Sequence, residues 1–400
     1  VIIKPRVRNN ICINSHPQGC AVSVQRQIEY AKEALKPVIG VTPKLALVIG
    51  CSNGYGLASR IAAAFGYGAA TVGISKEKPA TQTHTATPGF YNNRAFEKEA
   101  AKAALVYKTI DGNAFSDEMK ADAAQAVREA AAAAGIPEKI DLIVYSLASP
   151  VRVDPKTGVM YKSALKPIGA PFSGKTLDIM TGSFNIAEIG PAAEEEIAST
   201  VKVMGGEDWE LWIEALDKEG LLSPQTRTVA YTYLGPEHSW PIYKNGTIGR
   251  AKEDLERACR DINKNYAGKI AGAWISVNKA LVTRSSAIIP IIPLYLSCLF
   301  RVMKDMGLHE DCIRQIARLY RDHLYQSAPS AGASVDSEGR IRIDDLEMRD
   351  DVQRAVMERM NRTTPENVFT ETDIAGIKRD FLNAHGFEIE GVDYSADIAV

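Results

Sequence analysis

The chain has 400 residues, 46% hydrophobic and 24% charged, a balance that supports a soluble globular fold with a sizeable core. Its 47 basic and 49 acidic side chains leave a net charge of -2, which gives no electrostatic reason to expect nucleic acid or an anionic membrane as partner. The longest apolar run, Ala287 to Phe300, carries Pro290 and Pro293 and falls short of the roughly 20 residues a spanning helix needs, so it reads as a buried core helix.

The first residues, Val1 to Arg6, place a charge too early for a secretory signal. Six cysteines without a C-x-x-C pair point to a reducing, cytoplasmic setting. Cys12, His16 and Cys20 recur every four residues, as three metal ligands on a helix would. Asn14, Pro17 and Gly19 are expected to break any helix there, and no fourth ligand lies near, so no metal is expected.

From about residue 43 short apolar runs alternate with helical patterns, the rhythm of a parallel sheet. Leu45–Ile49 is a continuous apolar run, expected for a strand covered on both faces. Helix over Leu57–Phe65, strand over Ala70–Ser75, strand over Leu105–Ile110, helix over Ser116–Ala134 and strand over Asp141–Tyr145 follow. The rhythm then breaks between Pro150 and Pro224, a stretch rich in Gly, Pro and Lys with helical patterns at Ala192–Met204 and Asp208–Lys218. Thr228–Leu234 resumes as a strand, Thr247–Asn265 as a helix and Trp274–Val277 as a strand; charged helices follow at Asp311–Tyr325 and Leu346–Met360.

The predicted fold is α/β: a Rossmann-type parallel sheet with helices on both faces, in one unit spanning residues 1–400. Its core covers 43–300, an inserted substrate-binding lid 151–225, and a helical C-terminal extension 301–400.

The run Gly50-Cys51-Ser52-Asn53-Gly54-Tyr55-Gly56 joins the first core strand to a helix. Glycines there let the backbone turn tightly and approach a pyrophosphate at a helix N-terminus, where N–H groups and the helix dipole bind the anion. Glu77, 21 residues beyond Gly56, stands where an acid receives the adenosine ribose hydroxyls of NAD. Its neighbour Lys76 is placed to meet the 2′-phosphate of NADP instead, so NADH is expected with NADPH as the lesser alternative. Loops at Asp111-Gly112-Asn113-Ala114 and Ser146-Leu147-Ala148 fall at the same edge of the sheet.

Hydride transfer needs a group to hydrogen-bond the substrate carbonyl. None of the 15 tyrosines has a lysine four residues on, which disfavours an ordinary short-chain dehydrogenase. Tyr-x8-Lys occurs as Tyr67/Lys76, Tyr243/Lys252 and Tyr295/Lys304. Tyr295 and Lys304 sit about two and a half helical turns apart, on opposite faces. Tyr67 precedes the second strand, at the wrong edge for a ligand. Tyr243 follows a strand at the correct edge, and the Asn245-Gly246 turn leads to the helix that carries Lys252. An ammonium beside the phenol is expected to lower its pKa from about 10 and to hold the nicotinamide ribose. The residues alone leave Tyr243 open between a catalytic acid and a surface tyrosine beside a turn.

Longer runs go further. Thr232-Tyr233-Leu-Gly-Pro-Glu237, Trp240-Pro-Ile-Tyr243 and Gly246-Thr-Ile-Gly-Arg-Ala-Lys252 closely resemble the trans-2-enoyl-CoA reductase family, also described as the V-type bacterial enoyl-ACP reductases. So do His16-Pro-Gln-Gly-Cys20, Phe65-Gly-Tyr-Gly68, Val201 to Trp209, Lys279-Ala-Leu-Val-Thr283 and Gly391-Val-Asp-Tyr394. The resemblance implies a monomer that reduces a short acyl-CoA, crotonyl-CoA in type, with NADH; acyl carrier protein is the alternative carrier. It matches Tyr243 to the catalytic acid, Lys252 to its partner and Tyr233 to a substrate-binding residue. For the dinucleotide it carries over Gly50 through Tyr55, Glu77, Asn113 with Ala114, Leu147 with Ala148, and Leu281, Val282 and Thr283. Two positions depart from the family: Lys76 stands where an aromatic is usual, and Asn113 where Asp is common. A ketoreductase on the same core and a nucleotide-sensing regulator without turnover are the competing readings. His238 reads as a solvated loop residue.

Overall fold

The computed structural model describes residues 2–8, 11–283, 292–326 and 333–398. Seven parallel strands form its main sheet: Leu45–Ile49 (β1), Ala70–Ser75 (β2), Tyr107–Asp111 (β3), Leu142–Tyr145 (β4), Arg227–Thr232 (β5), Gly272–Val277 (β6) and Arg340–Arg342 (β7). Their order is β7-β6-β5-β4-β1-β2-β3, with every neighbour parallel. The chain runs outward one way from β1 and then the other, so a crevice opens between β1 and β4 at the carboxyl edge.

Helices cover both faces. On one lie Pro17–Ala34 (α1), Gly54–Ile61 (α2), which continues as a π-helical turn through Gly66, and Pro88–Lys102 (α3). On the other lie Asp117–Ala134 (α4) and, beyond Glu194–Met204 (α5), Glu207–Lys218 (α6) and Thr247–Asn265 (α7). Local chemistry explains the boundaries. Ser116 Oγ accepts from Met119 N to cap α4, and Gly135 at φ +63° ends it.

Sequence and structure part at three places. Pro17 does not break a helix; it starts α1 at the first position, where its missing N–H costs nothing, and His16 Nδ1 caps that end by accepting from Gly19 N at 3.2 Å. Gly19 serves close packing, because a Cβ there would lie 1.7 Å from Gly386 O.

The segment 151–225 divides. Two antiparallel hairpins, Val151–Val153 with Met160–Lys162 and Phe172–Leu177 with Phe184–Ile189, stand off the sheet. By contrast α6 is a core crossover helix: Trp209, Trp212, Ile213 and Leu216 are fully buried between α4 and α7. Asp208 at its start pairs with Lys120 of α4 at 2.9 Å, both inside.

The region beyond residue 300 is more than a helical extension, because it supplies β7 to the sheet edge. Ile292–Asp305 (α8), Cys312–Leu319 (α9), Asp350–Arg362 (α10), Val368–Glu371 (α11) and Ile374–Asn383 (α12) complete it. α9 packs on the core, while α8, α10 and α12 build a third apolar cluster with the tip of the second hairpin. Leu294 to Phe300 are buried; Ala287 to Ile291 lie outside the described residues. Among the described residues no helix is long and apolar enough to cross a membrane.

Candidate active site

The loop after β1 is held at both ends. Gly50 N and Cys51 N donate to Ile74 O of β2. Gly50 sits at φ +89°, and a Cβ there would lie 2.1 Å from Ser146 O of the loop after β4, so only glycine fits the crevice. Asn53 gives α2 no side-chain cap, the arrangement in which a helix N-terminus can accept an anion. Cys51 points inward, with Arg60 Nη1 3.7 Å from its sulfur. Tyr55 also turns away: its hydroxyl donates to Lys279 O at 3.0 Å, tying α2 to the segment after β6.

Glu77 follows β2. Its Oε1 accepts from Ser52 Oγ at 2.6 Å and Asn53 Nδ2 at 3.2 Å, and its own N–H donates to Asp111 Oδ1 at 2.7 Å. Lys76 is exposed beside it. Asn113 Oδ1 accepts from Phe115 N within its loop, Ala114 is buried, Leu147 is half-buried and Ala148 exposed. After β6, Leu281 is buried and Val282 and Thr283 half-buried; the Thr283 methyl lies 3.9 Å from where a Gly54 Cβ would stand. The loops predicted to take a dinucleotide thus meet around the start of α2.

Tyr243 and Lys252 reach the same edge. The chain leaves β5 at Thr232, passes a short 3-10 turn at Glu237–Ser239, and folds back with Tyr243 N donating to Ser239 O. Gly249 lets α7 start close by, since a Cβ there would lie 1.7 Å from Lys244 O. Lys252 Nζ then donates to Tyr231 O at 3.4 Å. The Tyr243 ring meets Tyr233 edge to face, centroids 5.0 Å apart. Its hydroxyl has no hydrogen-bond partner among the described residues. Burial pushes that phenol up to about 12 and Lys252 down to about 8. The expected lowering by the ammonium does not occur: removal from water raises the phenol, with no opposing pull from Lys252. The other two pairs diverge. Tyr67 packs on Tyr320 and Tyr325, Tyr295 binds Glu347, and Lys304 pairs with Asp373.

A cavity of about 370 Å³ opens beside Tyr233, lined by Phe172, His238, Leu294, Tyr295, Met357 and Met360. His238 is therefore no solvated loop residue: it is half-buried, its ring 4.8 Å from Tyr295, and burial lowers its pKa. The sequence offered no sign of Glu347, whose buried carboxylate accepts from the hydroxyls of Tyr233 and Tyr295. It stands 114 residues from Tyr233 in a run of acids that reads as surface.

Comparison with known proteins places this architecture. Residues 84–325 match the trans-2-enoyl-CoA reductase catalytic region, and residues 2–82 the NAD(P)H binding domain of trans-2-enoyl-CoA reductase. The chain is 54% identical over 401 residues to the trans-2-enoyl-CoA reductase [NADH] of Treponema denticola, covering 100% of this chain and 98% of that protein. It is 50% identical to an enoyl-[acyl-carrier-protein] reductase [NADH] of Opitutus terrae, with 100% and 98% covered. The crystal structure of the Treponema denticola trans-2-enoyl-CoA reductase in complex with NAD superposes with a TM-score of 0.94 at 55% identity, covering 100% and 98% of the two chains.

Residues 335–398 match a segment described as the enoyl reductase FAD binding domain. The residues present do not fit a flavin. They form β7 and α10 to α12, and Val352, Val356, Ile377 and Phe381 are packed against α8. Among the described residues the glycine-lined strand-to-helix turn lies after β1, outside that segment. With a glycine loop, an acid after β2 and a Tyr-x8-Lys pair on one sheet edge, and matches along its whole length, the chain belongs to the trans-2-enoyl-CoA reductase family.

Proposed function

We propose that this protein uses NADH to reduce the C2=C3 double bond of a short trans-2-enoyl-CoA, crotonyl-CoA in type, to the saturated acyl-CoA. The observation that carries it is the gathering of the glycine loop, Glu77, Tyr243 and Lys252 at the carboxyl edge of one sheet. Residues 50–55 and the open start of α2 hold the pyrophosphate, and Glu77 the adenosine ribose. Asn113, Ala114, Leu147 and Ala148 flank the dinucleotide, and Lys252 with Leu281, Val282 and Thr283 holds its nicotinamide end. NADH supplies a hydride to C3 of the substrate.

The chain's own part is electrostatic. As C3 gains the hydride, the π electrons move through C2 to the thioester oxygen, giving an enolate. Tyr243 donates a hydrogen bond to that oxygen, and C2 then takes a proton that comes in the end from solvent, so that one NADH and one H+ are consumed per double bond. Burial keeps Tyr243 protonated, so the phenol is a donor throughout the working pH range. Lys252 places an ammonium near the developing charge in a site of low dielectric, where it counts for more than in water.

The test is NADH and NADPH oxidation with crotonyl-CoA by wild type and Tyr243→Phe. Rapid NADH loss in wild type and little in the variant is expected; no oxidation with either cofactor would refute the reading. A second reading, reduction of the acyl-carrier-protein thioester, is favoured by the Opitutus terrae relative's name. Comparing kcat/KM on crotonyl-CoA and on the carrier-bound substrate decides between them. In either case we take the working form to be a cytoplasmic monomer.

A further inference from the structure

Glu347 comes from the C-terminal region yet ends at the site. It is fully buried. Oε1 accepts from the Tyr233 hydroxyl at 3.1 Å and the Tyr295 hydroxyl at 2.7 Å, while Oε2 accepts from Ala280 N at 2.7 Å. Gln353 braces the arrangement: its Nε2 donates to Glu347 O at 2.7 Å and to the Tyr295 oxygen at 3.1 Å. Burial raises the Glu347 pKa, against the pull of the Lys279 ammonium and of the donors at both oxygens. Three hydrogens aimed at one carboxyl are matched by the ionised form, which only accepts.

We propose that Glu347 is a positioning residue for the reductase. Its carboxylate turns the Tyr233 hydroxyl hydrogen away from the acyl cavity and, through Ala280, fixes the segment Leu281–Thr283 on the cofactor side. The inference rests on the function proposed above. A tyrosyl hydroxyl has a single hydrogen. Once that hydrogen is committed to Glu347, the Tyr233 oxygen offers the cavity lone pairs alone. It can accept from an amide N–H of a pantetheine arm, but it cannot compete for the thioester oxygen. Tyr243, whose ring stands edge-on to Tyr233, is then the phenol that donates to the enolate. One carboxylate therefore sets the acyl wall and the nicotinamide wall together.

The role is tested with Glu347→Gln, Tyr233→Phe and the double variant, alongside Tyr243→Phe. In Glu347→Gln the amide NH2 must face either Ala280 N or the two hydroxyls, so one wall is misdirected. The measurements are kcat and KM for crotonyl-CoA, the NADH dissociation constant by fluorescence, and the melting temperature. We expect kcat of Glu347→Gln to fall roughly 10- to 100-fold, as misplacement near reacting atoms does, with NADH affinity held within about threefold. The double variant should be no slower than the slower single, because both changes break one interaction. Unchanged kcat in Glu347→Gln, or losses that multiply in the double variant, would overturn the role. Should Glu347→Gln not fold, Gln353→Leu decides, since it removes the brace on Glu347 and Tyr295: a drop in kcat at constant NADH affinity supports the role, and unchanged kcat refutes it. Full activity in Tyr243→Phe would instead overturn the site reading and this inference with it.

Discussion

Ser52 Oγ donates to Glu77 Oε1 across 2.6 Å, joining the loop after β1 to the acid after its neighbour β2. Asn53 donates to the same oxygen, so the Glu77 carboxylate is held from the loop after β1. A carboxylate there favours two free ribose hydroxyls and repels a phosphate. Glu77→Ala should lower the NADH over NADPH preference in kcat/KM by about 10-fold or more, the worth of a charged hydrogen bond. An unchanged ratio would mean that the acid does not touch the ribose.

Two glycines of this region should behave differently. A Cβ on Gly89 would lie 2.1 Å from Glu77 Oε1 and 2.5 Å from Asn53 Nδ2, both ends of side chains that can move. Gly89→Ala should therefore displace the acid and weaken NADH binding several-fold with little change in melting temperature. A Cβ on Gly50 meets main-chain Ser146 O at 2.1 Å, from a left-handed backbone. Gly50→Ala should cost about 2–5 kcal/mol of stability. Thermal unfolding with an NADH titration separates the two, and equal melting losses would contradict the contrast.

Lys252 should set the alkaline limit of activity. Burial brings its ammonium down to about 8, and the charged form is the useful one. Activity is thus expected to hold below pH 8 and to fall as pH rises through that value. Tyr243, up at about 12, keeps its proton across the same range. In a kcat/KM profile from about pH 6 to about pH 10, the free-enzyme limb should disappear in Lys252→Met. A wild-type profile still flat at the upper end would count against Lys252 as the titrating group.

The buried Lys120–Asp208 pair joins α4 to α6, and Tyr145 OH also donates to Asp208. Removing one partner strands the other charge inside. Lys120→Met should destabilise the protein by about 3–5 kcal/mol while leaving NADH selectivity unaltered. Denaturant unfolding measures the first and the cofactor ratio the second.

Much of this molecule was legible. The strands β1 and β4 announce themselves as apolar runs, β3 (YKTID) is reached only through the alternating rhythm around it, and α7 spans Thr247–Asn265 as its pattern predicts. Turn and helix geometry sets aside the rival Tyr-x8-Lys pairs and leaves Tyr243 and Lys252 as the two that can meet, while their roles come from the family resemblance and not from the spacing. What escaped has physical causes. β7 is three residues long and carries two arginines, with Ile341 alone buried, so it shows no strand signature. α1 hides behind Pro17 and Gly19, which look like breakers until the cap and the Gly386 contact are known. Glu347 has no motif, and only the packing of the third cluster brings it to Tyr233.

The contact of Gly19 with Gly386 has a bearing on how the protein is made. His16 N donates to His385 O nearby, and Arg26 donates to Glu390 O from 364 residues away in sequence. During synthesis the first helix emerges long before the segment that seats it. Its outer face must wait, bare, until the segment 364 residues further on has been made. Closing so long a loop is entropically slow, which makes this clasp a late event in folding and leaves the helix without its C-terminal seat in the interval.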